Sequence, residues 1–171
     1  MIKKYSMRDT LDIADAAAKD IEQWLKTFEE TIDVMNVEND EDYQLKDIDL
    51  LWIKQNRDGS KRTITIEVKG DRYYRTGNYF LETISNKKKN TPGCFMYTEA
   101  DYVFYYFVDE KELHVLPMPR TRDWFIRNLH HFKERETSTP VGDGHYITVG
   151  RLVNRNELQK HVQGARVLKL P

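Results

Sequence analysis

RTITIEVKGD, running from Arg62 to Asp71, alternates polar and apolar side chains with a period of two. That period puts Ile64, Ile66 and Val68 on one face of a half-buried strand and Glu67 and Lys69 on the other. An acid and a base thus share the polar face of a strand that enters the core. Just upstream, LKDIDLLWIKQ, Leu45 to Gln55, reads as another strand, and NRDGSK, Asn56 to Lys61, as a hairpin turn around Asp58-Gly59. The same period puts Asp47, Asp49, Leu51 and Ile53 on one face and Ile48, Leu50 and Trp52 on the other. Antiparallel pairing across the turn predicts Asp49 close to Glu67 and Lys69, at one edge of the hairpin.

Further out, Ile13, Ala17, Ile21, Trp24, Phe28 and Ile32 recur at helical spacing. They predict an amphipathic helix over roughly residues 8–34, with Asp9 or Thr10 as its cap. Asn36 to Gln44 reads as a polar loop and NYFLETIS as a third strand. DYVFYYFV and ELHVLPM form a hairpin across Asp109 to Lys111, and TRDWFIRNLHHF a second helix after Pro119. A strand near Tyr146–Val149 and a short helix from Asn154 to His161 complete the chain. No repeat or linker interrupts it, so the pattern predicts one mixed α/β domain over residues 1–171.

The bulk numbers restrict the function. A hydrophobic fraction of 39% with 32% charged residues fits a globular chain and excludes a disordered one. The net charge of −1 gives no global field, so any contact with nucleic acid must come from local clusters of cations. A single cysteine, Cys94, excludes an internal disulfide framework and fits a reducing compartment. No long apolar run is present, and MIKKYSMRDTLDIAD turns acidic where a signal peptide needs an apolar stretch. The expected location is cytoplasmic.

Two carboxylates held close together repel each other, and a cation is the natural compensation. Mg²⁺ suits hard oxygen ligands and commonly takes one or two carboxylates plus water and phosphate. A lysine beside it could orient a water and stabilise charge on a phosphate. An Asp on one strand followed by Glu-x-Lys on the next resembles the PD-(D/E)XK nuclease superfamily, with Asp49, Glu67 and Lys69 in the three motif positions. Ile48 stands where the superfamily's name has proline. The helix, the hairpin and the later strands resemble its restriction-endonuclease-like core over roughly residues 10–120, leaving about 121–171 as a C-terminal extension. The resemblance implies an α/β fold with a mixed central β-sheet and flanking helices. It also implies a Mg²⁺-dependent endo- or exodeoxyribonuclease, with Mn²⁺ able to substitute. Asp49, Glu67 and the Val68 carbonyl would hold the metal, and Lys69 would stand next to the attacking water.

Other residues extend this reading. Asp47 shares a face with Asp49, Glu82 lies on the third strand, and Asp20 falls at the border of the helix's apolar stripe; each is a possible additional acid. Arg72, Tyr73, Tyr74, Arg75 and Asn78 follow Lys69 and mix cations, rings and an amide that suit phosphates and unpaired bases. Lys87, Lys88 and Lys89 add a local cationic patch. DNA is the expected partner, and a homodimer stays open. The alternatives are a solvated Glu67–Lys69 pair, a catalytically inactive nuclease-fold protein that binds nucleic acid or protein, and a nuclease directed at RNA. His145, Asn154 and His161 are spaced too tightly for a His-Asn-His nuclease, and Cys94 has no partner at zinc spacing.

Overall fold

The computed structural model describes the backbone of Lys3–Lys4 and of residues 7–171, with side chains from residue 12 onward. After a two-residue strand, β1 (Lys3–Lys4), helix α1 spans Met7–Leu25. The side chains of Asp9 and Thr10, the expected caps, lie outside the described residues. Ala17, Ile21 and Leu25 repeat every fourth residue and are fully buried. Removing each Ile or Leu from water contributes about 1.5–3 kcal/mol. The helix ends well short of residue 34. The Thr27 hydroxyl donates to the Trp24 carbonyl and the Thr31 hydroxyl to that of Leu25, both at 2.7 Å, which satisfies acceptors that the helix leaves open. TIDVMN then forms strand β2 (Thr31–Asn36), so Ile32 is an exposed strand residue despite its helical spacing.

The remaining elements follow in order. They are α2 (Glu41–Gln44), β3 (Leu50–Gln55), β4 (Lys61–Asp71), β5 (Asn78–Asn86), β6 (Thr91–Pro92) and α3 (Cys94–Tyr97). Then come β7 (Tyr102–Phe107), β8 (Glu112–Pro117), α4 (Arg120–Arg127), β9 (Lys133–Val141), β10 (Gly144–Asn154), α5 (Arg155–His161) and β11 (Arg166–Lys169). The fold is mixed α/β with a mixed central sheet of order β11-β8-β7-β4-β3-β2. Strands β2, β3 and β4 form an antiparallel meander, whereas β4 and β7 run parallel. Parallel neighbours cannot be joined by a tight turn and need a long crossover. Here residues 72–101 provide it, and β5 within them enters a second sheet of order β1-β9-β10-β5-β6.

Two cores result. On one face of the central sheet, Ile64, Ile66, Phe104 and Tyr106 pack with the apolar stripe of α1. On the other, Val103, Tyr105, Phe107 and Leu116 meet Tyr79 and Leu81 of β5, Phe125 of α4 and Val153 of β10. Strand β4 therefore points Glu67 and Lys69 toward the second sheet, away from α1. The stretch beyond about residue 120 is no appendage: β9 and β10 build the second sheet and β11 extends the central one. Among the described residues, no helix is long and apolar enough to cross a membrane.

Helix α1 approaches β4 closely at Gly70. A Cβ there would lie 2.9 Å from both the Ile13 side chain and its carbonyl oxygen, and 3.1 Å from the Ala17 Cβ. Overpacking of this kind typically costs about 1–3 kcal/mol. Gly70→Ala is expected to lose stability on that scale in urea denaturation, and an unchanged midpoint would contradict the packing of α1 on β4.

Candidate active site

The register of β3 on β4 assembles the acids. Leu50 pairs with Ile66, so Asp49 stands beside Glu67 as β4 runs past the start of β3. The Asp49 N–H donates to the Ile66 carbonyl at 2.9 Å, and its carboxylate accepts from the Val68 N–H at 2.8 Å. The side chain thereby takes over a position that the ladder leaves open. Asp47 differs from the period-two reading, because it lies in a turn with φ 55°, a left-handed conformation that Asp tolerates better than most residues. The Thr98 hydroxyl donates to the Asp47 carbonyl at 2.8 Å and the Glu99 N–H to that of Lys46 at 2.9 Å, fixing the turn against the end of α3.

Glu67 is only 7% exposed. One of its carboxylate oxygens, Oε2, and one of Asp47, Oδ2, are buried with no hydrogen-bond partner among the described residues. Donor atoms of Asp47, Glu67 and Cys94 lie within 4.8 Å of one another. Cys94 arrives at the start of α3, where Gly93 packs on β5 so tightly that a Cβ would sit 2.5 Å from the Glu82 carbonyl oxygen. Two residues beyond Glu67 on β4, the Lys69 ammonium donates to Glu82 Oε1 of β5 at 2.5 Å.

Burial and mutual repulsion dominate the electrostatics. Burial, with Asp49 and Glu82 adding to it, pushes the Asp47 carboxyl from 3.8 up to about 7. Glu67 is driven well above the usual carboxylate range by burial and by the charges of Asp49 and Asp47. Asp49 is raised by burial, although the Val68 N–H, a hydrogen bond from Glu67 and the Lys69 charge pull it back. Burial lowers Lys69, but Glu82, Cys94 and Glu67 outweigh it and hold the ammonium above its ordinary value. The Cys94 thiol is pushed up by burial and by Glu82. These influences favour the protonated forms of Asp47 and Glu67 and the charged form of Lys69.

Lys69 and Glu82 also line a cleft of about 240 Å³ between β4 and the second sheet. Its walls include Asp71, Arg72, Tyr73, Asn78, Arg135 and Tyr146, together with Thr137, Thr139 and Thr148. Tyr105 donates its hydroxyl proton to Asp71 and accepts from the Phe80 N–H at 3.0 Å, tying the two sheets together at the cleft.

The structure therefore brings Asp47, Asp49, Glu67, Lys69 and Glu82 together, with Arg72, Tyr73 and Asn78 along the adjoining cleft. It does not bring in Asp20, which accepts from the Tyr106 hydroxyl at 3.0 Å on the α1 side of the sheet. Tyr74 packs edge-to-face with Phe107, and the Arg155 guanidinium stands 4.0 Å from its ring centroid and covers one face. Arg75 is exposed on the turn beside the cleft. Lys87 is ion-paired with Glu136, and Lys88 and Lys89 are exposed on the turn before β6. Asn154 caps α5 by accepting from the Glu157 N–H at 3.1 Å. Cys94 and Arg135 are the additions that spacing did not single out. Comparison with family models, with curated proteins and with solved structures finds no match.

These shifts have a definite sign. An acid whose pKa is raised on folding stabilises the fold below its unfolded value, and that contribution is lost as pH rises through its folded value. For Asp47 the loss runs from 3.8 to about 7, and Glu67 acts in the same direction. In chelator, Asp47→Asn should therefore gain stability relative to the wild type as pH rises from about 4 to about 7, by on the order of 1 kcal/mol. Urea midpoints across this range check it, and a difference independent of pH would contradict the buried, proton-bearing acid.

Proposed function

We propose that the protein is a divalent-metal-dependent nuclease of the PD-(D/E)XK type that hydrolyses phosphodiester bonds in DNA. The observation that carries this reading is the unpartnered Glu67 oxygen, buried beside Asp49 and Asp47. Ionising three acids gathered at one buried point costs several kcal/mol, so the cluster calls either for protons or for a cation. The donor set fits one: Asp49, Glu67 and the Val68 carbonyl would hold Mg²⁺, with Mn²⁺ able to substitute. When bound, the cation would polarise the phosphate and make a coordinated water more acidic. The succession of long helix, strand hairpin and later strands also supports a restriction-endonuclease-like core.

The chain's own residues supply the rest. Lys69 stays charged, and its ammonium suits the negative charge that builds on the phosphate oxygens. Glu82 positions that ammonium through the 2.5 Å bond. Hydrolysis adds water across one P–O ester bond: the water oxygen joins phosphorus, and the departing oxygen takes up a proton. Arg72 and Arg135 on the cleft walls are suited to phosphates, and the rings of Tyr73 and Tyr146 to bases. A second reading is a catalytically inactive nuclease-fold protein that binds nucleic acid or a protein partner. The Lys69–Glu82 pair favours it, since the salt bridge already compensates the lysine's charge.

The two readings part in single-turnover assays at saturating protein. Mg²⁺ or Mn²⁺ should support cleavage of DNA, and excess chelator should abolish it. Lys69→Ala should cut about a hundredfold more slowly while its DNA affinity changes little, since loss of one transition-state contact acts on that scale. Cleavage by Lys69→Ala at the wild-type rate, or cleavage undiminished in chelator, would contradict the nuclease reading. Binding without cleavage under any divalent cation would establish the second one.

A further inference from the structure

We infer that Asp47, Glu67 and Cys94 form a site for a thiophilic divalent cation of the Zn²⁺ class. This goes beyond the oxygen-ligated Mg²⁺ of the nuclease reading and does not require that the chain cut DNA. Three donors, two carboxylates and one thiol, come from the turn before β3, from β4 and from α3, with their ligand atoms within 4.8 Å of one another. Ligands around a tetrahedral Zn²⁺, at about 2.0–2.3 Å, stand about 3.3–3.8 Å apart, so contraction by about 1 Å completes the set. Three protein ligands with a fourth position open is the usual composition of a reactive zinc site.

Acids and a thiol in proximity would not by themselves make a site. Here Glu67 is more than nine-tenths buried, and its Oε2 has no partner among the described residues. Asp47 contributes a second such oxygen, Oδ2. The scaffold is also fixed: Thr98 and Glu99, just after α3, hydrogen-bond to the carbonyls of Asp47 and Lys46 and so lock the turn onto the helix that carries Cys94. Tyr97, on the helix that carries Cys94, stands close to the Asp47 carboxylate. Lys69, the nearby cation, is ion-paired with Glu82 at 2.5 Å rather than with Asp47 or Glu67. Sulfur decides the class of metal, since thiolates select Zn²⁺ and similar ions whereas Mg²⁺ keeps to oxygen.

Co²⁺ titration of the full chain, in a non-thiol reductant, tests the site without any activity assay. Binding should produce the near-ultraviolet thiolate-to-cobalt band, saturating at a single equivalent and erased by Zn²⁺. Cys94→Ser should abolish the band, and Asp47→Asn should weaken Co²⁺ at least about tenfold. Because Cys94 is the sole cysteine, the wild type offers a second measurement that no variant's folding can confuse. Zn²⁺ should slow alkylation of the thiol at least about tenfold, and Mg²⁺ should not. No band, a band retained in Cys94→Ser, or alkylation unaffected by Zn²⁺ overturns the inference. Mg²⁺-dependent cleavage without a cobalt band would sink this site alone. A cobalt band without cleavage under any divalent cation would sink the nuclease reading alone.

Discussion

The register of β3 against β4 is the constraint from which the rest follows. With Leu50 opposite Ile66, Asp49 falls beside Glu67 and its carboxylate caps the Val68 N–H. A slip of one residue would turn Ile64 and Ile66 away from α1 and bring Glu67 and Lys69 into that apolar core. The packing of Ala17, Ile21 and Leu25 on the isoleucines therefore enforces the position of the acids on the far side. Apolar burial on one face fixes a polar constellation on the other.

The parallel pairing of β4 with β7 has an equally direct consequence. Its crossover carries β5 into a second sheet, and that sheet closes over the face bearing Glu67 and Lys69. The same closure buries the acids and opens the cleft beside them. Burial makes the cluster costly as anions and so favours protons on Asp47 and Glu67, while Lys69 is paired with Glu82. In the proposed function those protons are the ones a divalent cation would replace.

Much of this was legible in the sequence, because it rests on periods. Period two in RTITIEVKGD and the Asp58-Gly59 turn led to the β3–β4 hairpin and to Asp49 beside Glu67. The spacing of Ile13, Ala17 and Ile21 led to α1, yet the same spacing ran on through Phe28 and Ile32 into what is β2. There, hydroxyl bonds from Thr27 and Thr31 and the β-branched run of TIDVMN outweighed it. Asp47 reached the site through a left-handed turn that no alternation rule could indicate. Cys94 and Arg135 come from elements placed by long-range pairing, 27 and 68 residues from Glu67 in sequence, and no local pattern connects them to it. Asp20 failed for the opposite reason: a helix border says which stripe a residue flanks, not which face of the sheet the helix will cover.

Burial favours protons on these acids, and in the proposed function a divalent cation displaces them. Calorimetric titration of Mn²⁺ at pH 6.5, in buffers of differing ionisation enthalpy, counts those protons directly. The account predicts tight binding with release of about one proton or more per cation, largely lost in Glu67→Gln. Binding with no proton release, or no binding in the wild type, would contradict it.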